Sequence, residues 1–429
     1  MNRWETLQRT PAPALAPAFG PLKGMRVLTT GGYLAMPRAA VMLGEFGAEV
    51  VYLELPGGGD NFRTFSPFID DGNGKRVGSA WAGMRRNILS VGLQTNLRKY
   101  EKAREVFNCL IKNADVWIES VVWLEKLGLR DEDLLAVNPR LVIVHISGYG
   151  KKEFGGDPAV CDKAAFDISG QAASGWMIQN GEPDGVPMRG NPGLSDFTTG
   201  YTAVIGALMA YMNAQKTGKG QVVDVSMFES QALFIQDYVT AYTDAGVMKP
   251  RSGSRQFNFQ PYDVFQAKDG KYVAIGGFGP AVFERIVKAL DLDPEYFTRD
   301  TCGNGVAAVT SPKGQEFDAI IRKWVAGRTA QEVVAHMDRF RVAAQTVVDA
   351  DDIVHDPHWI DRGDIVQYRD ETLGRDITAV GVIPKLSETP GQIWRGAPTL
   401  GEDTDLVLKT LCGYTDGELA ALRAENLIQ

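Results

Sequence analysis

Cysteine is scarce in this chain of 429 residues. Cys109, Cys161, Cys302 and Cys412 stand far apart, with no C-x-x-C pair. That spacing excludes a zinc ribbon and a dithiol redox motif, and it fits a reducing, cytoplasmic setting. Histidine is equally rare, and His145, His336, His355 and His358 form no H-E-x-x-H. The sequence therefore offers no metal site. An excess of positive charge is also missing: 45 Lys and Arg against 53 Asp and Glu leave a net charge of -8. No basic run offsets it, which argues against a nucleic-acid partner. Residues 1–7 lack the apolar core of a signal peptide, and no apolar run approaches the roughly 20 residues of a membrane span. Neither G-x-G-x-x-G nor a P-loop occurs, so a standard dinucleotide or nucleotide triphosphate site has no support. An anionic ligand would need a local basic pocket in an acidic surface.

What is present reads as an ordinary globular composition with too much chain for one core. After a Pro/Ala-rich lead-in over 1–24, residues 26–30 read as a strand, 37–46 as a helix stopped by Gly47, and 48–54 as a second strand. A helix over 97–113 and strands over 115–118, 141–146 and 221–226 continue the alternation. Short strands alternating with helices predict a doubly wound, Rossmann-like parallel sheet. The polar stretch 249–260 marks a boundary. Beyond it a smaller α/β segment is predicted, with a strand over 271–275 and helices over 281–290, 315–326 and 330–340. Residues 353–363 read as a return linker. The domains are drawn as 1–235 for the first part of the large domain, 250–355 for the small one, and 364–429 for the tail that completes the large one.

Ligands of such sheets sit beyond the carboxyl ends of the strands. Three glycine loops fall there, at 30–37, 54–60 and 147–150. Each alone is also what a plain turn looks like. Asp196 stands out more sharply. It follows a Gly/Pro-rich loop and precedes an apolar segment over 201–209, which places a carboxylate at or near a helix N-terminus. The dipole and free N–H groups there favour the ionised form. The bland alternative is a helix cap, a role Asp fills often.

Taken in order, several short stretches resemble class III CoA-transferases over nearly the whole chain. They are Pro21-Leu22-Lys23-Gly24, Phe46-Gly47-Ala48-Glu49, Arg85-Arg86-Asn87, Ser147-Gly148-Tyr149-Gly150, Leu194-Ser195-Asp196-Phe197, Thr217-Gly218-Lys219-Gly220 and Trp394-Arg395-Gly396-Ala397-Pro398. Ile178-Gln179-Asn180-Gly181 and the run into Trp394 are similar to the subgroup of L-carnitine and bile-acid CoA-transferases. The resemblance implies an α/β fold with a large Rossmann-like domain and a smaller one, the chain forming a ring interlocked in a homodimer. It implies CoA as co-substrate with no tightly bound cofactor, and acyl-CoA and carboxylic acid substrates. Asp196 takes the nucleophile's position. Leu34 and Ala35 match the loop along CoA, Arg86 and Lys126 match phosphate-holding cations, and Tyr149 matches a ring that packs on CoA or the acyl group. Each cation also reads as a solvated surface charge, and the tyrosine as a core aromatic.

Two departures matter. Stretch 119–125 is two residues shorter than in relatives, so one CoA-touching lysine has no counterpart. Stretch 255–261 keeps Gln260-Pro261 but has few of the lid glycines. The sharpest rival is an α-methylacyl-CoA racemase, which shares this fold and pairs the Asp with a His. The matching residue here is Phe166, which moves no protons. His145 reads as a core or strand-end histidine. A non-catalytic CoA-binding protein is the remaining alternative. Trp176, Met177, Met188 and Phe197 are candidates to pack an acyl chain. Aromatics holding a trimethylammonium group favour a carnitine- or betaine-like acid, with a bile acid or 2-hydroxy acid as alternatives.

Overall fold

The computed structural model describes residues 2–70, 74–121 and 124–429; Val122 and Trp123, in the shortened stretch, lie outside it. The chain divides into two compact units. One comprises Met1–Ser174, Gly190–Phe234 and Pro357–Gln429, the other Gly175–Arg189 and Ile235–Asp356. Residues 175–189 thus pack with the second unit although they fall inside the stretch assigned to the large domain.

The first unit is built on six parallel strands: β1 (Arg26–Thr30), β2 (Glu49–Glu54), β3 (Ile88–Gly92), β4 (Val116–Glu119), β5 (Val142–Ser147) and β6 (Gln221–Ser226). Their spatial order is β3-β2-β1-β4-β5-β6. Strands β1 to β4 are buried along their whole length, as expected of a parallel sheet covered on both faces. On one face Phe107, Leu110 and Trp117 pack with Leu408 and Leu411 of the C-terminal helix Thr404–Cys412. On the other, Met36, Trp81, Ala203 and Ala207 form a second core. The strand order reverses between β1 and β4, and ligands of such sheets bind at that switch point, beyond the carboxyl ends of the strands.

Two helices meet beside that switch point. Helix α1 (Ala35–Glu45) leaves the loop after β1. It begins two residues before the predicted start, because Pro37 sits in the first turn, where its missing N–H costs no bond. Helix α5 (Leu194–Thr217) is entered through Gly193 (φ +82°) and left through Gly218 (φ +73°). Between them in sequence lie α2 (Glu101–Asn113), α3 (Asp131–Val137) and α4 (Asp167–Ala173). Gly200, Ala203, Ala207, Ala210 and Ala214 recur at three- and four-residue spacing and are all buried. That stripe lets α5 lie against α1 at backbone distance: a Cβ on Gly200 would stand 2.9 Å from the Ala35 carbonyl oxygen. On the same helix Tyr201, Ile205, Met209 and Met212 are exposed.

The second unit has its own antiparallel sheet, ordered Ala343–Thr346, Tyr272–Gly276, Tyr262–Gln266. Helices Pro280–Ala289, Pro312–Ala326 and Ala330–Arg339 enclose a core with Phe265, Phe283, Phe297 and Phe317. The first and last of these strands were not legible in the sequence. Asp263 occupies an inward position of Tyr262–Gln266 and breaks the apolar alternation; it is buried against Arg322 and Ser254. Residues 353–363, expected as a linker, fall largely in two short helices, Ala350–His355 and Pro357–Asp361.

Candidate active site

Asp196 lies in the first turn of α5 but does not cap it. The capping position is Gly193, which has no side chain to offer. The job falls instead to Asp167, the first residue of α4. Its Oδ1 accepts the Ser195 N–H at 2.7 Å and the Asp196 N–H at 3.4 Å. Its Oδ2 accepts from Gln171 Nε2 at 2.7 Å. Gln171 is fully buried and holds both polar groups of Gly190, donating to its carbonyl at 2.9 Å and accepting from its N–H at 2.7 Å. A buried amide saturated in this way fixes the loop that enters α5.

The Asp196 carboxylate is left without a hydrogen bond among the described residues. Its acidity changes accordingly. Burial, and then the negative charge of Asp167, push its pKa up to about 7. The helix terminus therefore does not keep it fully ionised, as its position in sequence suggested. The N–H groups that would have stabilised the anion are taken by another carboxylate.

The loop after β1 forms the facing wall. Gly31 crosses the start of the loop after β4 so closely that a side chain there would overlap Ser120. Tyr33 adopts φ +64°, a conformation uncommon outside glycine. Its carbonyl accepts from the buried Arg85, whose Nη2 also lies 3.3 Å from Asp60; Asp60 in turn accepts from Tyr52 Oη at 2.5 Å. That chain clamps the loop from below. Leu34 follows, and its Cδ2 would be 2.9 Å from a Cβ on Gly193, while Asp196 Oδ2 would be 3.7 Å from the same point. Gly193 is thus the gap across which Leu34 and the Asp196 carboxylate meet. Ala35, buried, begins α1 beside them. Phe166, just before Asp167, sets its ring edge-on to Tyr33 with centroids 5.7 Å apart, and both rings are exposed.

The other sequence candidates are distributed differently. Arg86 is buried. Its Nε donates to Glu45 at 2.8 Å, and its Nη atoms donate to the carbonyls of Val380 at 2.6 Å and Gly381 at 3.2 Å. It ties the end of α1 to the C-terminal hairpin of Ile365–Asp370 and Arg375–Val380. Lys126 is exposed on the short helix Leu124–Leu127. Tyr149 is half-buried in the turn after β5, tilted against Phe228 at 6.2 Å. Its neighbour Gly148 abuts Ala165, two residues before Asp167.

A cavity of about 390 Å³ opens beside that turn, bordered by Ser147, Gly148, the lysines Lys151, Lys152 and Lys163, and five carboxylates, Asp131 and Glu153 among them. His145, read from sequence as a core residue, lies at its floor. Burial opposes its protonation, but hydrogen bonds to Asp131 at 2.9 Å and Glu119 at 2.5 Å outweigh it and raise its pKa to about 9. Asp167, Gln171 and the three lysines escaped sequence reasoning. The one signal for Asp167 was its place beside Phe166 in Ala165-Phe166-Asp167-Ile168, a segment weighed only for a missing histidine.

In the second unit, Phe257, Phe259, Tyr262 and Phe278 line a cavity of about 900 Å³ together with Asp237 and Asp244. Phe259 meets Tyr262 and Phe278 in two edge-to-face contacts, at 5.3 and 5.2 Å. Gln260 is buried and donates to the carbonyls of Cys302 at 2.6 Å and Gly314 at 2.8 Å, which anchors the end of the 255–261 segment. Of the four candidate acyl-packing residues, Trp176, Met177 and Met188 belong to this unit and Phe197 to the first. Among the described residues no group of His, Cys, Asp and Glu is arranged to hold a metal ion, and no helix is long and apolar enough to cross a membrane.

Comparison with known proteins adds an independent line. The model of CoA-transferase family III matches residues 22–404. A bile acid CoA-transferase of Clostridium scindens, BaiK, is 36% identical over 94% of this chain and 88% of its own length. An L-carnitine CoA-transferase of Proteus mirabilis is 31% identical over 96% of this chain and 97% of its own. Among solved structures, a CAIB/BAIF family protein from Brucella suis superposes with a TM-score of 0.77 at 25% identity, covering 92% of this chain and all of that one.

Proposed function

We propose an aspartyl-relay mechanism for this chain, which belongs to CoA-transferase family III and is a CoA-transferase. The observation that carries the reading is the Asp196 carboxylate itself. It is mostly buried, lacks a hydrogen bond among the described residues, and stands beside the loop at the switch point of the sheet. A carboxylate so placed is more basic than usual and hence a better nucleophile.

Asp196 attacks the thioester carbonyl of the donor acyl-CoA. The carbon–sulfur bond breaks, CoA leaves as thiolate, and an acyl-aspartyl anhydride remains. The thiolate then attacks the aspartyl carbonyl and expels the donor carboxylate, leaving an aspartyl-CoA thioester. The acceptor carboxylate attacks that thioester, and the same two steps run in reverse to give the new acyl-CoA and free Asp196. One activated acyl bond is exchanged for another at every stage. The anhydride must be kept from water, a task that suits Tyr33, Leu34 and Phe166. Oxyanions at the reacting carbonyls are stabilised by backbone N–H groups of the 31–34 loop and the first turn of α1.

CoA lies along Leu34 and Ala35 and over the turn carrying Tyr149. Its phosphates are met by Lys126 and by the lysines of the cavity beside that turn. Arg86, saturated by Glu45 and two carbonyls, acts on CoA indirectly by holding the end of α1. For the acceptor we favour a carnitine- or betaine-like acid. The likeness to the L-carnitine CoA-transferase of Proteus mirabilis supports this choice. We further propose that ring-shaped chains interlock as a homodimer, for which the exposed apolar stripe of Tyr201, Ile205, Met209 and Met212 provides contact surface. A cytoplasmic location suits the four buried, unpaired cysteines. Racemisation has nothing to recommend it here, because the ring at Phe166 supplies no second acid or base.

The test is mass spectrometry of the protein after incubation with acyl-CoA donors, followed by a panel of acceptor acids read by product mass. An acyl or CoA adduct on the peptide carrying Asp196, absent in Asp196→Ala, supports the mechanism. Turnover retained by Asp196→Ala, or α-proton exchange in deuterated water with no adduct, would sink it.

A further inference from the structure

We infer that Asp167 is a positioning residue for Asp196: by taking the N–H groups at the start of α5, it leaves the Asp196 carboxylate facing Leu34 and sets a second carboxylate beside it. The inference rests on the reading of Asp196 as nucleophile and adds a residue to that site.

Carboxylates near the start of α5 compete for its free donors. The first N–H groups of a helix have no partner inside it, and a nearby side-chain oxygen takes them whenever it can. In α5 two of those groups, on Ser195 and Asp196, point to one oxygen of Asp167. With them occupied, Asp196 gains nothing by folding back on its own helix. Its Oδ2 instead lies near the position a Gly193 side chain would fill, opposite Leu34 Cδ2. Asp167 is itself held from behind. Gln171, one turn along α4, binds its second oxygen and grips both backbone groups of Gly190. The three-residue bridge from Gly190 through Gln171 to Asp167 therefore sets the loop that enters α5 and the first turn of that helix together.

The second consequence is electrostatic. A like charge beside a part-buried carboxylate opposes its ionisation. Groups on the other elements packed here are turned elsewhere. Arg38 of α1 lies 3.8 Å from Glu45 and over the Tyr201 ring. Glu229, on the helix Met227–Ala232 that packs against the start of α5, is bound to Ser226. Leu34 is uncharged. Among the described residues, Asp167 is the one ionisable neighbour whose charge acts on Asp196, adding to burial.

The experiment uses four full-length proteins: wild type, Asp196→Asn, Asp167→Asn and the double variant. Asparagine in place of Asp167 keeps an oxygen for the two N–H groups and removes the charge. Melting temperature is measured from pH 4 to pH 9, and the difference that Asp196→Asn makes is plotted in each background. With Asp167 in place the difference grows from about pH 3.8 and levels off near 7, with its midpoint roughly halfway between. In the Asp167→Asn background the upper end falls by about one pH unit and the midpoint by about half of that. A residue that merely braced the helix would lower both curves and move neither midpoint, so superimposable midpoints overturn the inference. Asp167→Ser is the second neutral variant should the first not fold, with the same comparison. Adduct formation at Asp196 is scored separately. A shifted midpoint with no adduct from any acyl-CoA refutes the nucleophile and leaves the placement of Asp167 standing. An adduct with an unmoved midpoint does the reverse.

Discussion

Replacing Asp196 with Asn should make the protein inactive and, above neutral pH, more stable. Asp196 has an ordinary carboxyl pKa of 3.8 when the chain is unfolded and about 7 in the folded site. A folded value above the unfolded one means that the native state binds the proton more tightly. The stability this gives is complete below pH 3.8 and is lost as pH rises through about 7. By pH 8 the loss, at about 1.4 kcal/mol for each pH unit between the two values, reaches at most about 4 kcal/mol. Asparagine occupies nearly the same volume without a proton to lose. Relative to wild type, its melting temperature should therefore rise between pH 4 and pH 8. For a chain of this size, with an unfolding entropy of roughly 0.9 kcal/mol/K, the rise is about 5 °C at its largest. Scanning calorimetry at pH 4, 6 and 8 on both proteins, with turnover measured alongside, provides the check. A difference that does not grow with pH would refute the claim that the site confines an unfavourably placed carboxylate. Activity and stability would then be unlinked at this residue, contrary to the trade-off common at catalytic positions.

Two further outcomes follow from neighbouring geometry. His145, with its pKa raised from 6.5 to about 9 between Asp131 and Glu119, contributes stability that is complete below pH 6.5 and is lost as pH rises through about 9, a span worth about 3 kcal/mol; in His145→Gln the decline between pH 7 and 9.5, followed by thermal melts, should flatten. Gly200→Val places a side chain against the Ala35 backbone; forcing α1 from α5 should cost about 1–3 kcal/mol in denaturant melts and lower turnover by separating Leu34 from Asp196, whereas unchanged stability would show that the two helices are not held at backbone distance.

Much of the first unit was legible because its strands are short apolar runs. Residues 26–30, 48–54 and 141–146 announce themselves within a residue or two, since a strand covered on both faces has few polar positions to blur the pattern. Helix α5 was found from its apolar middle, with Asp196 placed at or near its start; the first helical residue, Leu194, follows a glycine cap that sends no side-chain signal. The second unit was harder. Ala343–Thr346 has little strand preference, and Tyr262–Gln266 buries an aspartate whose arginine partner lies on a distant helix. Nor does any composition shift reveal that 175–189 pack with residues beyond 235.

At the site the division is sharper. Arg86 and Lys126 look alike in sequence as cations near loops, yet one is buried and saturated by Glu45 and two carbonyls and the other is exposed on the surface. Only neighbours distant in the chain distinguish them.

The order of residues alone determined that a parallel sheet would form, that its loops would carry glycine, and that one aspartate would stand near the start of a long helix. These follow from local periodicity and from the small set of residues able to take unusual backbone angles. The tertiary structure decided what that aspartate is. Its ordinary acidity became a pKa of about 7 because folding removed it from water and brought a second carboxylate, 29 residues away in the chain, onto the N–H groups it would otherwise have used. Charge and solvent act through space, so the proton at Asp196 answers to neighbours that no local pattern in the sequence can display.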